Sequence, residues 1–232
     1  MSCDKSAQKV KNIFNEISSY YDITNNFISL WSHLLIKYLS VKMLDIPKKS
    51  NILDLCCGTG DFTKIFAKFH PDAKIIGLDS SIEMIKLAKN KNPKESFIVG
   101  DCLDLPFKNS EFDIITMGFG LRNIQDRKKA LLESYRVLKN GGEFLHLDFG
   151  IHNIFSKIFD ALVLCVIKLL GKNKDAYLYL IESKNEFPEP EELTKEFEKI
   201  GFQFVKRKYF MFGVISAQIY HKYIESYYCN EM

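Results

Sequence analysis

NILDLCCGTGDFTKIFAKF, residues 51–69, restricts the fold of this chain more than any other stretch. NILDLC is a short apolar run with the pattern of a buried strand. CGTGD follows as a tight glycine turn, and FTKIFAKF (62–69) has helical spacing. The alternation then repeats. AKIIGLD (73–79) reads as a second strand, and SSIEMIKLAKN (80–90) opens with serine caps and reads as a helix. SFIVGD (96–101) and FDIITMGFG (112–120) read as the third and fourth strands. DRKKALLESYRVLKN (126–140) reads as a helix stopped by Gly141 and Gly142, and EFLHLDF (143–149) as a fifth strand. Strands that alternate with helices at short intervals predict a mostly parallel sheet with helices on both faces, an α/β fold.

The flanks complete the pattern. Residues 8–45 are amphipathic and helical in spacing, and 151–200 read as helices, including the apolar 153–170 stretch and PEPEELTKEFEKIG (188–201). Strand-like segments near 202–209 and 212–220 close a seven-stranded sheet. With 232 residues, no internal repeat and no low-complexity linker, one domain is expected: a helical lid (1–48), a ligand-binding core (49–150), a helical cap (151–200) and C-terminal strands (201–232). A net charge of +3, from 32 basic and 29 acidic residues, gives no concentrated basic face and argues against a nucleic-acid partner. MSCDKSAQKV lacks the apolar core of a signal peptide and the arginine-rich pattern of a transit peptide. IFDALVLCVIKLL (158–170) is short and carries Asp160 and Lys168, so no transmembrane helix is expected. A bacterial cytoplasm or a plastid, with contact at a membrane surface, fits these features.

Six cysteines, Cys3, Cys56, Cys57, Cys102, Cys165 and Cys229, are scattered without the spacing of a zinc or thioredoxin-type site. No metal is expected. Adjacent Cys56 and Cys57 point to opposite faces of an extended strand and cannot easily grip one ion. Small apolar packing residues are the better reading.

In doubly wound folds the ligand lies at the carboxyl ends of the strands. The polar turns collect there: CGTGD, Asp79, Asp101 and GFGLRN. An acid about 20 residues past a glycine turn can hold both ribose hydroxyls of a nucleoside, a role for Asp79. The dinucleotide fingerprint needs a third glycine where this chain has Thr63, and the Walker G-K-S/T is absent. Asp54 before the turn and Asp61 after it would repel a pyrophosphate and suit a cation. S-adenosylmethionine, a sulfonium with an adenosine and no phosphate, fits.

The ordered set LDLCCGTGD, GLD, GDCLDLPF, FDIITMGFG and RVLKNGGEF resembles a class I S-adenosylmethionine-dependent methyltransferase, with its Rossmann-like sheet. FNEISSYYDITNNFISL (14–30), LPFKNSEFD (105–113), FGLRNIQD (119–126), DAYLYLIES (175–183) and FP (187–188) narrow the resemblance to the ubiquinone/menaquinone C-methyltransferase family. CCGTGD and TMGFGLRN lean toward its cyanobacterial and plastid branch, which methylates demethylphylloquinone. The resemblance implies that Gly58, Thr59 and Gly60 line the methionine part of the cofactor. It implies that Asp101 and Cys102 face the adenine, that Gly118 passes the cofactor, and that Tyr21 and Asp22 belong to the lid. The reaction implied is carbon methylation of a reduced, prenylated or phytylated naphthoquinone in menaquinone or phylloquinone biosynthesis.

Methyl transfer to a quinol carbon needs a base or water relay at the hydroxyl and a cation near the developing oxyanion. Arg122 and Asn123 are the candidates. His146 sits on a core strand and reads as a core histidine, while His33 in the lid is a weaker outsider. The substrate half departs from the family pattern at Leu34, Ile36, Asn26, Asp148-Phe149-Gly150 and Gln218. A methoxy-polyprenyl benzoquinol, another lipid acceptor, and a non-catalytic binding subunit therefore remain open. The expected partner is a lipophilic quinol. Self-association or a place in a quinone-synthesis complex is compatible with it.

Overall fold

The computed structural model describes residues 5–17, 32–170 and 174–223. Its strands are β1 (Asn51–Leu55), β2 (Lys74–Asp79), β3 (Ser96–Val99), β4 (Phe112–Gly118), β5 (Leu138–Phe149), β6 (Phe202–Phe210) and β7 (Ile215–Lys222). The helices are α1 (Ala7–Ile17), α2 (Ser32–Val41), α3 (Asp61–Phe69), α4 (Ile82–Lys91), α5 (Arg127–Val137), α6 (Ile154–Leu170), α7 (Lys174–Asn185) and α8 (Pro190–Ile200). One sheet runs in the order β3-β2-β1-β4-β5-β7-β6. The first five strands are parallel, and β7 is antiparallel to β5 and β6.

The apolar runs are long because both faces of the sheet are covered. Successive residues point to opposite faces, so each central strand feeds two cores. Leu53 and Leu55 of β1 join Ile115 and Met117 of β4 in one core. Ile52 and Ile114 face the other, against Phe62 and Phe66 of α3. At the C-terminal end Phe197 of α8 stacks flat on Tyr220 of β7, ring centroids 4.0 Å apart.

Three details differ from the sequence expectations. α5 ends at Val137, and Leu138 already pairs with Phe112. The ladder then skips to Ile114–Glu143, so Gly141 (φ +74°) and Gly142 form a bulge within the strand. A Cβ on Gly142 would lie 2.8 Å from the Asp113 carbonyl oxygen, so the pair is needed for a close backbone approach. The last strand starts at Ile215, because Met211–Gly213 form a 3-10 turn. Among its described residues the amphipathic N-terminal region contributes α1 and α2. Tyr21 and Asp22 lie outside the described residues.

Candidate active site

The loops after β1, β2, β3 and β4 surround one cavity of about 530 Å³ at the carboxyl edge of the sheet. Its wall includes Cys56, Gly58, Asp79, Asp101, Cys102 and Gly118. Asn123 and Asp126 close the side beyond β4. Gln8, Lys11 and Phe14 of α1 form the roof. Ser81 anchors that roof, its hydroxyl donating to Asn15 Oδ1 at 2.6 Å while accepting from Met84 N–H as the N-cap of α4.

The turn after β1 and the acid after β2 form one unit. Gly58 N–H donates to Asp79 Oδ2 and Ser81 N–H to Asp79 Oδ1, both at 2.9 Å. Burial raises the Asp79 carboxyl above its usual range, against the opposing pull of the Ser81, Gly58 and Ser80 N–H groups. Gly58 has φ +54°, and a Cβ there would meet nothing within 4 Å. Its backbone conformation, rather than crowding, calls for glycine. Gly118 is the opposite case: a Cβ would lie 2.4 Å from the Phe62 ring.

Asp54, Thr59 and Gly60 do not line the cavity. Asp54 lies behind it, accepting from Thr63 N–H and hydroxyl at 3.1 and 2.8 Å and from the Thr116 hydroxyl at 3.1 Å. It ties β1 to α3 and β4, and burial pushes its carboxyl up to about 6. Thr59 is buried and accepts from Lys91 Nζ at 3.0 Å. Gly60 is the left-handed N-cap of α3, where a Cβ would collide with Asn92 and Phe97. Asp101 is exposed and closes its own turn, accepting from Leu103 N–H at 2.9 Å.

Arg122 and Asn123 are brought together but differ in access. Both are buried in the short turn Leu121–Asn123, and only Asn123 reaches the cavity wall. Arg122 Nη1 donates to Asp148 Oδ1 at 3.0 Å and to the Phe119 carbonyl at 2.5 Å. Its guanidinium lies 5.1 Å from the Phe149 ring centroid and 5.8 Å from that of Phe119. Asn123 Nδ2 donates to the same Phe119 carbonyl at 3.2 Å, and its Oδ1 is buried without a hydrogen-bond partner. Phe119, on the cavity wall, has φ +58°, a conformation that bulky residues avoid. The Arg-Asn pair therefore holds a strained carbonyl in place.

His146 is wholly buried between the Phe187 and Phe197 rings, and burial lowers it to about 4 despite nearby Asp148. It is neutral at pH 7 and lies off the cavity. His33 faces Asp61 at 3.9 Å, beside the Lys37–Asp61 pair at 2.7 Å. Burial works to raise Asp61, but Lys37 together with Lys91 and His33 holds its carboxyl below the usual range. The adjacent cysteines diverge: Cys56 lines the cavity with Cys102, and Cys57 packs against Ile85, Ala88 and Phe97. The Cys102 contact and burial push the Cys56 thiol up, and burial does the same at Cys57. Both stay protonated and unreactive.

Sequence reasoning missed three contributors. Phe119 carries no pattern that marks a left-handed residue. The α1 side chains reach the cavity only through the tertiary fold. Asp148 stands out in the sequence only as a departure from the family, yet it is the ionic partner of Arg122.

The architecture recurs in a SAM-dependent methyltransferase from Thermotoga maritima, with a TM-score of 0.66 at 22% identity over 92% of this chain and 99% of that one. Fold and cavity, together with the family match that follows, make the chain a class I S-adenosylmethionine-dependent methyltransferase. More narrowly, residues 2–222 match the sequence model of the ubiE/COQ5 methyltransferase family, and the chain belongs to it. A demethylmenaquinone methyltransferase from Staphylococcus carnosus is 37% identical over 225 residues, 93% of each chain. One from Anoxybacillus flavithermus is 34% identical over 227 residues, 93% of this chain and 96% of its own.

The wall suits S-adenosylmethionine. From the sheet edge its ionisable groups include the carboxylates Asp79, Asp101 and Asp126, and its lysines, Lys5 and Lys11, come from the N-terminal segment. Carboxylates favour a sulfonium and an ammonium over a polyphosphate.

Proposed function

We propose that this methyltransferase places the methyl of S-adenosylmethionine on a ring carbon of a reduced demethylmenaquinone. The observation that carries the reading is that both relatives above, similar over 93% of this chain, are named for that acceptor. The demethylphylloquinone lean of CCGTGD and TMGFGLRN has no counterpart in those names.

Bound S-adenosylmethionine supplies an electrophilic methyl carbon. Asp79 takes the ribose hydroxyls, and the Gly58 backbone lets the cofactor approach closely. Asn123 Oδ1 accepts from the quinol hydroxyl, which sends electron density toward the ring carbon. An amide is no base at neutral pH, so a water carries the proton away. Arg122, charge-paired with Asp148, fixes the Phe119 carbonyl and so shapes the wall beside the quinol oxygen. The α1 roof excludes bulk water and holds methyl and carbon at reacting distance.

The test is a competition between demethylmenaquinol and a methoxy-polyprenyl benzoquinol for labelled methyl. The reading predicts kcat/KM in favour of the naphthoquinol. Preference for the benzoquinol would overturn the acceptor and keep the family.

A further inference from the structure

Ile154, Ile158 and Leu162 repeat every fourth residue along α6, and each is at least half exposed. Beside them Phe155 stacks on Phe212 of the 211–213 turn, ring centroids 4.7 Å apart. Phe212 is 79% exposed. Met211 and Phe212 adopt φ of +49° and +55°, left-handed values that bulky side chains avoid. Fold contacts enforce this conformation. Asn153 Nδ2 donates to the Phe212 carbonyl at 2.8 Å, and the Ser32 hydroxyl of α2 meets Met211 Sδ at 3.9 Å. A strained turn that lifts an aromatic ring into water calls for a functional reason.

Among the described residues exposed lysines flank this apolar surface, and Glu189 meets its N-terminal end at the His152 N–H. Lys157 on α6 and Lys206 and Lys208 on the strand entering the turn are exposed. The acid of the same helix segment, Asp160, is turned inward onto Lys184 at 2.6 Å. The surface also joins the active site. Ile215, just past the turn, pairs with Phe149 at the carboxyl end of β5, the edge that holds the cavity. Phe149 packs edge-on to Phe119 of the cavity wall at 5.8 Å and against Phe159 of α6 at 5.8 Å. Aromatic side chains thus run from the cavity to the exposed helix. Among the described residues no helix is long and apolar enough to cross a membrane.

We propose that the outer stripe of α6 and the Phe212 turn seat this enzyme on an anionic lipid bilayer, so that the acceptor passes from the bilayer along the Phe159–Phe149–Phe119 run. The proposal rests on the lipophilic acceptor argued above. An apolar face rimmed by lysines gains from acyl burial and from anionic headgroups together.

The test is flotation of the full chain with vesicles of phosphatidylglycerol and phosphatidylcholine, and with phosphatidylcholine alone. Anionic vesicles are expected to capture the protein, less so at high salt. The pair Phe155→Ser and Phe212→Ser is expected to weaken capture by about tenfold or more. Turnover of a tail-less, water-soluble demethylnaphthoquinol stays unchanged in that pair. Lys157→Glu with Lys208→Glu is expected to weaken capture by anionic vesicles alone, and provides a second test with the apolar stripe intact. Wild-type protein that stays with neither vesicle, or a serine pair that floats like wild type, overturns the proposal. A dimer in solution that the serine pair splits also overturns it, because a second copy would be the occupant. Capture that follows these expectations without methylation of any naphthoquinol supports the surface and removes the acceptor reading instead.

Discussion

Asp79 accepts from backbone N–H groups on two separate loops, and it is the carboxylate we propose for the ribose hydroxyls. Its loss removes charge-assisted bonds of about 1.5–3 kcal/mol each. Asp79→Ala is therefore expected to lower S-adenosylmethionine affinity by at least about tenfold in calorimetry. Unchanged affinity would remove Asp79 from the site. Two buried groups give opposing pH dependence. His146, lowered from 6.5 to about 4, binds fewer protons folded than unfolded in that window. Its contribution to stability is lost as the pH falls from about 6.5 toward 4. Asp54, raised from 3.8 to about 6, binds more protons folded. Its effect runs the other way, costing stability as the pH rises through the same range. His146→Gln is expected to narrow the stability gap to wild type by up to about 3 kcal/mol between pH 6.5 and 4 in urea titrations. A gap independent of pH would mean that His146 titrates normally in the fold.

At the scale of elements, Ser81 both caps α4 and anchors α1. Ser81→Ala is expected to cost about 1 kcal/mol and to speed cofactor release in stopped-flow measurements. Equal release rates would leave α1 without a role in closing the cavity. Glycines at two strand ends differ in what blocks them. A Cβ at Gly150 would lie 2.2 Å from the Gly213 carbonyl oxygen, whereas at Gly118 the obstacle is the Phe62 ring. A ring can shift more easily than a backbone carbonyl held by the Ile151 N–H, so Gly150→Ala is expected to lower the denaturation midpoint more than Gly118→Ala. The reverse order would show that the turn at 211–213 yields easily. Elements were readable where one periodicity ruled, as in NILDLC and FTKIFAKF. Boundaries escaped where glycine had two uses. Gly141 and Gly142 look like a helix stop and instead shape a bulge that begins after Leu138 has joined the sheet.

Across the molecule, the sheet order and the gathering of Gly58, Asp79, Asp101, Cys102, Gly118 and Asn123 around one cavity follow from strands ending in polar turns. That much is local chemistry repeated at a regular interval. The rest depends on contacts between distant segments. Asp54 and Thr59 belong to the same motif as Gly58, yet they face inward and bond to Thr63 and Lys91. Arg122 is buried behind Phe119 because Asp148, 26 residues later, lies on the adjacent strand. No spacing rule announces either arrangement. The central claim is carbon methylation of a naphthoquinol, and trideuteromethyl S-adenosylmethionine with demethylmenaquinol tests it most directly. The account predicts a product whose label sits on a ring carbon, by mass spectrometry and carbon NMR. Label on the hydroxyl oxygen, or cofactor binding with no label in the quinol, would contradict it.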